Sequence, residues 1–288
     1  MSRATLSGVA ALLLWAFLAV LARGSAGVPP LQMTAMAFGT AGVLATAWLA
    51  FQGRLGVLRQ PPLAWLHGVG GLFGYHALYF AALAWAPPVE ASLLNYLWPL
   101  LIVLLSAPVL GMRLGARRLA GVVLGGLGCA LVVGPGAEFP PGAGPGFLCA
   151  AAAAFVWATY SVTSRRMAAV PTEAVAGFCL ASAILALLAH LGFEATVAPD
   201  ARQWISAVLL GLGPVGVAFF LWDVGMKRGD PRLLGTLAYA VPVASTLLLL
   251  LTGEGTAGPR VLAAAALVVG GGWLAASARD PVTAGDRA

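Results

Sequence analysis

Charge is scarce in this chain. Asp, Glu, Lys and Arg supply 9% of its 288 residues, where soluble domains carry about 25%. No hydrophilic stretch is long enough to fold by itself. With 60% hydrophobic residues and a mean hydropathy of +0.93, the composition excludes a large soluble domain and leaves a polytopic membrane protein. Acidic residues are the rarer charge, 10 against 16 basic, and they form no paired motif. Cys129, Cys149 and Cys179 all lie in apolar runs. Their number is odd and their spacing fits no metal site, so they read as small buried hydrophobes. No metal and no cofactor is implied. Ser92, Ser106 and Ser161 have no His or Asp at a recognisable spacing, and no HExxH occurs. A membrane enzyme is therefore rejected.

Long apolar runs are what the chain has in abundance. A membrane-spanning helix takes about 20 such residues. Candidates fall near 5–22, 31–51, 63–84, 89–110, 117–134, 146–164, 172–193, 203–226, 231–251 and 260–277. The separators are short and rich in turn residues: Gly27-Val28-Pro29-Pro30, Gln60-Pro61-Pro62, Ala86-Pro87-Pro88, Gly134-Pro135-Gly136, Ala198-Pro199-Asp200 and Gly229-Asp230-Pro231. Loops this short make consecutive helices antiparallel neighbours. Met1-Ser2-Arg3 before an apolar run imitates a signal peptide, but the run is long enough to span and has a counterpart later in the chain. The expected fold class is an all-α membrane protein with ten transmembrane helices.

Basic residues set the orientation. With the N-terminus in the cytoplasm, that side receives Arg3, Arg54, Arg59, Arg113, Arg117, Arg118, Arg165, Arg166, Lys227, Arg228, Arg232, Arg279 and Arg287. The other side receives only Arg23, Arg202 and Arg260. Both termini are expected in the cytoplasm of a bacterial-type inner membrane. The positive charge then faces anionic lipid and is no nucleic-acid patch.

The two halves resemble each other. Trp15-Ala16 matches Trp157-Ala158, and Pro29 matches Pro171, at an offset of 142. Pro88 matches Pro231, Tyr96 matches Tyr239 and Pro99 matches Pro242 at 143, and Gly111 matches Gly253 at 142. The expected domains are 1–135 and 145–278. Five spans per half is an odd number, so the second repeat enters the membrane inverted. Inverted repeats that share a midplane site are a transporter signature.

On these features the chain resembles the drug/metabolite transporter superfamily, in its ten-helix EamA-type group, and within that the aromatic amino acid exporters. Leu14-Trp15, Leu94-Asn95-Tyr96-Leu97-Trp98-Pro99, Phe155-Val156-Trp157-Ala158-Thr159-Tyr160 and Trp222-Asp223-Val224-Gly225 carry the resemblance. The Gly-Glu pair frequent after the fourth span of such repeats is present as Gly253-Glu254 but reads Gly111-Met112 in the first half. The resemblance implies export of small molecules; the direction of transport comes from it alone.

Depth along the spans selects candidate substrate-binding residues. Tyr75, His76 and Tyr79 lie near the middle of the third span, where Tyr75 and Tyr79 share a face at i,i+4. Asn95 and Trp98 share a face in the fourth, and Trp157 and Tyr160 in the sixth. Trp15 is related to Trp157 by the repeat. An amide in hydrocarbon costs several kcal/mol unless it is paired, so Asn95 has either a structural partner on a neighbouring helix or a functional one. Trp65, Trp85, Trp204 and Trp273, with Trp48, read as interfacial or packing residues. His67 and His190 lie near span ends and carry no signal. Asp223 is expected to pair locally with Lys227 and Arg228, and Glu90 to suit a helix N-terminus at the outer edge. His76 is the one titratable candidate for coupling. Gly70 with Gly74 and Gly121 with Gly125 are spaced for close helix contact. Pro88, Pro99, Pro231 and Pro242 are candidate hinges, with Pro214 a further bending point.

The expected function is export of aromatic and other neutral amino acids, with broad specificity, by alternating access through a central cavity. Other small metabolites or drugs on the same scaffold are the alternative. The expected partners are the substrate and the bilayer, with no nucleic acid; the sequence leaves the oligomeric state open, a monomer being sufficient for the fold.

Overall fold

The computed structural model describes residues 1–133, 140–251 and 259–278, and every regular element among them is helical. Gly134-Pro135-Gly136, Gly253-Glu254, Arg279 and Arg287 lie outside the described residues. Helices α1 (Arg3–Ala16) and α2 (Leu18–Gly24) share the first apolar run. Then come α3 (Pro30–Phe51), α4 (Pro62–Trp85), the pair α5 (Pro88–Asn95) and α6 (Trp98–Leu110), and α7 (Ala116–Val133). The second half runs through α8 (Gly144–Thr163), α9 (Val175–Phe193), α10 (Ala201–Leu212), α11 (Ala218–Arg228), the pair α12 (Pro231–Leu237) and α13 (Ala240–Leu251), and α14 (Pro259–Ala276). By length and hydropathy, four helical stretches can cross a membrane as they stand: Pro30–Phe51, Gly144–Met167, Thr172–Phe193 and Ala201–Arg228.

Local chemistry explains the starts and breaks. Ser2 caps α1 by accepting from the Thr5 N–H at 3.1 Å, and Asp200 opens α10 with a reciprocal capping box to Gln203. Helices α3, α4, α5 and α12 begin on proline, which lacks the donor that a first turn leaves unused anyway. Pro99 and Pro242 likewise fall in the first turn of α6 and α13, just after breaks at Tyr96–Leu97 and Ala238–Tyr239. The four hinge candidates therefore sit where half-helices begin. Pro214 falls in a π-turn, Gly213–Val217, that joins α10 to α11.

Helices pack as α7 on α14, α3 on α9, α4 on α8, α1 on α11 and α6 on α12. Gly121 faces the backbone of Gly271 and Gly125 faces Tyr239, so this pair makes the close approach that its spacing suggested. Gly70 and Gly74 do not: Gly70 has open space beside it, and on α4 the tight contacts belong to Gly68 against Phe178 and Gly71 against Tyr160. Spacing alone could not say which face of an all-apolar helix is covered.

Trp48, Trp85, Trp204 and Trp273 are exposed, as are Phe51 and Phe193. Such surface is foreign to a soluble monomer and natural against lipid. Trp65 packs edge-on to Phe178 at 5.2 Å.

Polar contacts gather at the two ends of the bundle. At one end Arg118 pairs with Asp230 at 3.0 Å, Arg54 with Glu173 at 2.7 Å, and Arg232 reaches Asp230 at 3.2 Å and the Arg113 carbonyl at 2.8 Å. Arg166 donates to the Val109 carbonyl there, and the Asp230 N–H to Thr5. At the other end the Glu194 carboxylate accepts from the first N–H groups of α3, Leu31 at 2.9 Å and Gln32 at 3.1 Å. His190, 1% exposed, holds that carboxylate at 2.9 Å and Thr196 at 3.0 Å. His190 is thus a buried polar brace, contrary to the expectation that it carries no signal.

Candidate functional site

Four tryptophans from four helices meet in the centre of the bundle. Trp15 (α1) lies 5.7 Å from Trp157 (α8), 6.4 Å from Trp98 (α6) and 5.0 Å from Trp222 (α11), ring centre to ring centre. Trp98 meets Trp157 edge-on at 6.4 Å, and Trp157 stacks with Trp222 at 6.3 Å. Phe219, one turn before Trp222, adds contacts of 6.0 Å to Trp15 and 5.8 Å to Trp157. All five are buried. Each favourable ring pair contributes about 0.5–1.5 kcal/mol beyond its buried area, so the cluster is well fixed. Two indoles are held by their N–H. Trp15 donates to the Pro214 carbonyl at 2.8 Å, and Trp222 donates to Ser161 at 3.1 Å. The first bond ties the π-turn to the cluster.

A polar edge adjoins these rings. Tyr75 lies 5.2 Å from Trp157 and stacks on Tyr79 at 6.0 Å. The Asn95 amide donates to the Tyr75 hydroxyl at 3.0 Å, and the Tyr79 and Ser92 hydroxyls are bonded at 3.0 Å. Asn95 is 4% exposed, and its Oδ1 has no hydrogen-bond partner among the described residues. An unpaired buried carbonyl costs about 1–3 kcal/mol, so it calls for an explanation.

The sequence candidates therefore divide. Trp15, Trp98 and Trp157 form the aromatic cluster, and Tyr75, Tyr79 and Asn95 form its polar edge. His76 borders both: its ring meets Tyr75 at 5.1 Å and Phe219 at 6.3 Å, with Phe38 at 5.0 Å and Phe80 at 6.1 Å, while its Nδ1 bonds the Leu72 carbonyl of its own helix at 2.7 Å. Tyr160 lies a turn beyond Trp157, 5.3 Å from it and 4.8 Å from His67. Pro88, Pro99, Pro231 and Pro242 lie in the first turns of the half-helices α5, α6, α12 and α13.

His67 does carry a signal. Its Nε2 lies 3.1 Å from the Tyr160 carbonyl and 3.0 Å from the Thr163 hydroxyl, tying α4 to α8. Beyond it is a cavity of about 10 Å³, lined by His67, Tyr160, Phe178, Asp223 and Lys227, with room for one water at most. Asp223 and Lys227 pair at 2.8 Å, as expected, but both are 5% exposed and not at a solvated rim. Thr172 donates to the same Asp223 oxygen at 2.6 Å, and Lys227 also reaches the Val170 carbonyl at 2.8 Å. Glu90 lies in the first turn of α5, as expected, and is 2% exposed.

Trp222, which carries part of the family resemblance, was not among the expected site residues, and neither were Phe219 and Phe38. The signal for two of them was the repeat: at the offset of 143, Tyr79 corresponds to Trp222 and His76 to Phe219.

Apolar helices packed around a buried aromatic centre, with polar contacts confined to the two ends and a few interior groups, define a multi-pass membrane protein. The EamA-like transporter family matches residues 2–134 and again 144–277, and the chain belongs to that family: it is a transporter and not an enzyme. Over 278 residues, 95% of this chain and 97% of the relative, it is 51% identical to the aromatic amino acid exporter YddG of Ancylobacter novellus. It is 26% identical to the proteins of that name from Salmonella typhimurium and Escherichia coli, over 85% of this chain and 87% of theirs. A solved crystal structure, also 51% identical, superposes with a TM-score of 0.92 over 95% of this chain and 96% of that one.

Proposed function

We propose that this protein exports amino acids, aromatic and other neutral ones, across the inner membrane by alternating access. The observation that carries the reading is the buried tryptophan cluster with the Asn95 carbonyl, unpaired among the described residues, at its edge: apolar ring surface suited to a side chain, beside an open polar acceptor. The names of the relatives favour amino acids over other metabolites or drugs on the same scaffold.

In this reading α1–α7 form one five-span repeat, within 1–135, and α8–α14 its inverted copy, within 145–278. Each broken pair of helices counts as one span, which makes ten. The packing supports it. Exchanging the halves turns the α4–α8 contact into the α11–α1 contact and the α6–α8 contact into the α13–α1 contact, while α3–α9 and α7–α14 map onto themselves. Both termini are cytoplasmic, so the end with Arg118, Asp230 and Arg232 faces the cytoplasm. The paired breaks before Pro99 and Pro242 are the moving frame. Between the cluster and the cytoplasm lie Tyr160 with His67, then the Asp223–Lys227 pair, and these layers close the inner side.

The test is flux in proteoliposomes for a panel containing Phe, Trp and Thr, with and without a pH gradient. Saturable uptake of amino acids is expected. A protein inert to the whole panel overturns the reading.

A further inference from the structure

The tryptophan cluster accounts for an apolar side chain but not for the charged end of an amino acid. No ion pair lies among the candidate residues, and the Asp223–Lys227 charges already satisfy each other. What lies beside the rings is one short chain of neutral hydrogen bonds. Asn95 gives its amide N–H to the Tyr75 oxygen at 3.0 Å. That leaves the Asn95 Oδ1 as an acceptor with no donor. It also leaves the Tyr75 O–H as a donor: its oxygen accepts, and it donates to no group among the described residues. The pair thus presents one open acceptor and one open donor, side by side.

We propose that Asn95 and Tyr75 together read the zwitterion of the substrate, Asn95 Oδ1 accepting from the α-ammonium and the Tyr75 O–H donating to the α-carboxylate. The inference rests on the transport reading above and names the recognition within that site. A hydrogen bond in which one partner is charged contributes more than a neutral one. A dipolar reader also avoids the desolvation cost of a resident buried ion when the site is empty. The Tyr75 and Tyr79 faces and Trp157 add cation–π attraction for the ammonium. The break between α5 and α6 falls at the same place. Of the two breaks that precede Pro99 and Pro242, only the first carries an amide, because the position equivalent to Asn95 is Ala238. A polar reader at one of these two related breaks suits a single substrate bound off the axis.

The test uses three ligands with one ring: phenylalanine, phenethylamine (ammonium only) and 3-phenylpropionate (carboxylate only). Binding to the full-length purified protein is measured by ligand-induced thermal shift, and phenylalanine counterflow is measured in proteoliposomes. Wild type is expected to bind phenylalanine at least tenfold more tightly than either fragment. Tyr75→Phe, which keeps the ring, should weaken phenylalanine and phenylpropionate about tenfold relative to phenethylamine. Asn95→Asp should shift preference toward phenethylamine by a similar factor, a gain that misfolding cannot imitate. Equal loss for all three ligands in both variants, or unchanged ligand ratios, overturns the assignment while leaving transport intact. Wild type that moves no phenylalanine overturns the transport reading and this inference with it.

Discussion

Trp15 and Trp157 occupy equivalent positions in the two halves, and their rings meet edge-on with centres 5.7 Å apart. Two residues exchanged by a pseudo-twofold axis touch only where that axis passes between them. On the inverted-repeat arrangement proposed above, the contact would mark that axis and place the aromatic cluster on it. Because the pair touches, its members should not behave independently. Trp15→Ala and Trp157→Ala are each expected to cost about 3 kcal/mol, with a non-additivity of about 1 kcal/mol in the double variant. Thermal melts of the four proteins in detergent provide the cycle. Strict additivity would remove the structural argument for a shared centre.

Trp222 has the same burial as the tryptophans read from the sequence and a fixed indole, so it should matter as much to flux. Trp222→Ala is expected to reduce phenylalanine counterflow more than tenfold, while Trp273→Ala, at a position 71% exposed, leaves it within twofold. Ser161→Ala removes only the acceptor for Trp222 and should cost less, about 1 kcal/mol of stability. Flux that survives in Trp222→Ala and fails in Trp273→Ala would reverse the assignment of interior and lipid faces.

These cases show what could be read in advance. Apolar runs and turn separators located the helical stretches to within a few residues, because a long oily run punctuated by proline has few other solutions. The aromatic centre was partly legible through the repeat, Trp15 with Trp157 at 142, and the offset of 143 carried from Tyr79 to Trp222 would have added a fourth ring. The azimuth of helix faces was not legible. In a helix that is apolar all round, such as α4, periodicity does not separate the covered side from the lipid side, so Gly70 and Gly74 looked as good as Gly68 and Gly71. Burial of charges was not legible either: Asp223 and Lys227 lie near a span end in sequence and pair there, yet Thr172 and Val170 of the α8–α9 connection close over them.

Acid should loosen the end of the bundle that holds Asp230. Burial pushes its carboxyl up, but the Arg232 hydrogen bonds and the charges of Arg118 and Arg232 outweigh burial and hold it below the usual value of 3.8. A lowered folded-state value means that the carboxylate contributes stability above about pH 4 and loses it as pH falls through the folded value. Melts of wild type should therefore fall steeply below pH 4, and Asp230→Asn should be less stable at pH 7 yet flatter in acid. Removing the carboxylate leaves Arg118 and Arg232 buried beside each other, a loss on the order of 3 kcal/mol. Parallel pH profiles for the two proteins would show that the cluster is not linked to folding.

The Asp223–Lys227 pair makes the sharpest prediction about movement, because stability and closure can be separated there. Lys227→Met strands a buried carboxylate, and Asp223→Asn strands a buried ammonium; each should cost about 3–5 kcal/mol. The double variant removes both charges and should recover most of that stability. It does not recover the bonds to Thr172 and Val170 in their charged form, so the inner layers should open more readily. Cys179 reports this opening. It is fully buried, next in sequence to Phe178, which lines the small cavity against the pair. With Cys129 and Cys149 replaced by alanine, Cys179 in wild type should resist a water-soluble maleimide applied from the cytoplasmic side. In the stable double variant it should react at least tenfold faster. Equal labelling rates in two equally stable proteins would mean that the pair is a static brace and that the inner closure lies elsewhere.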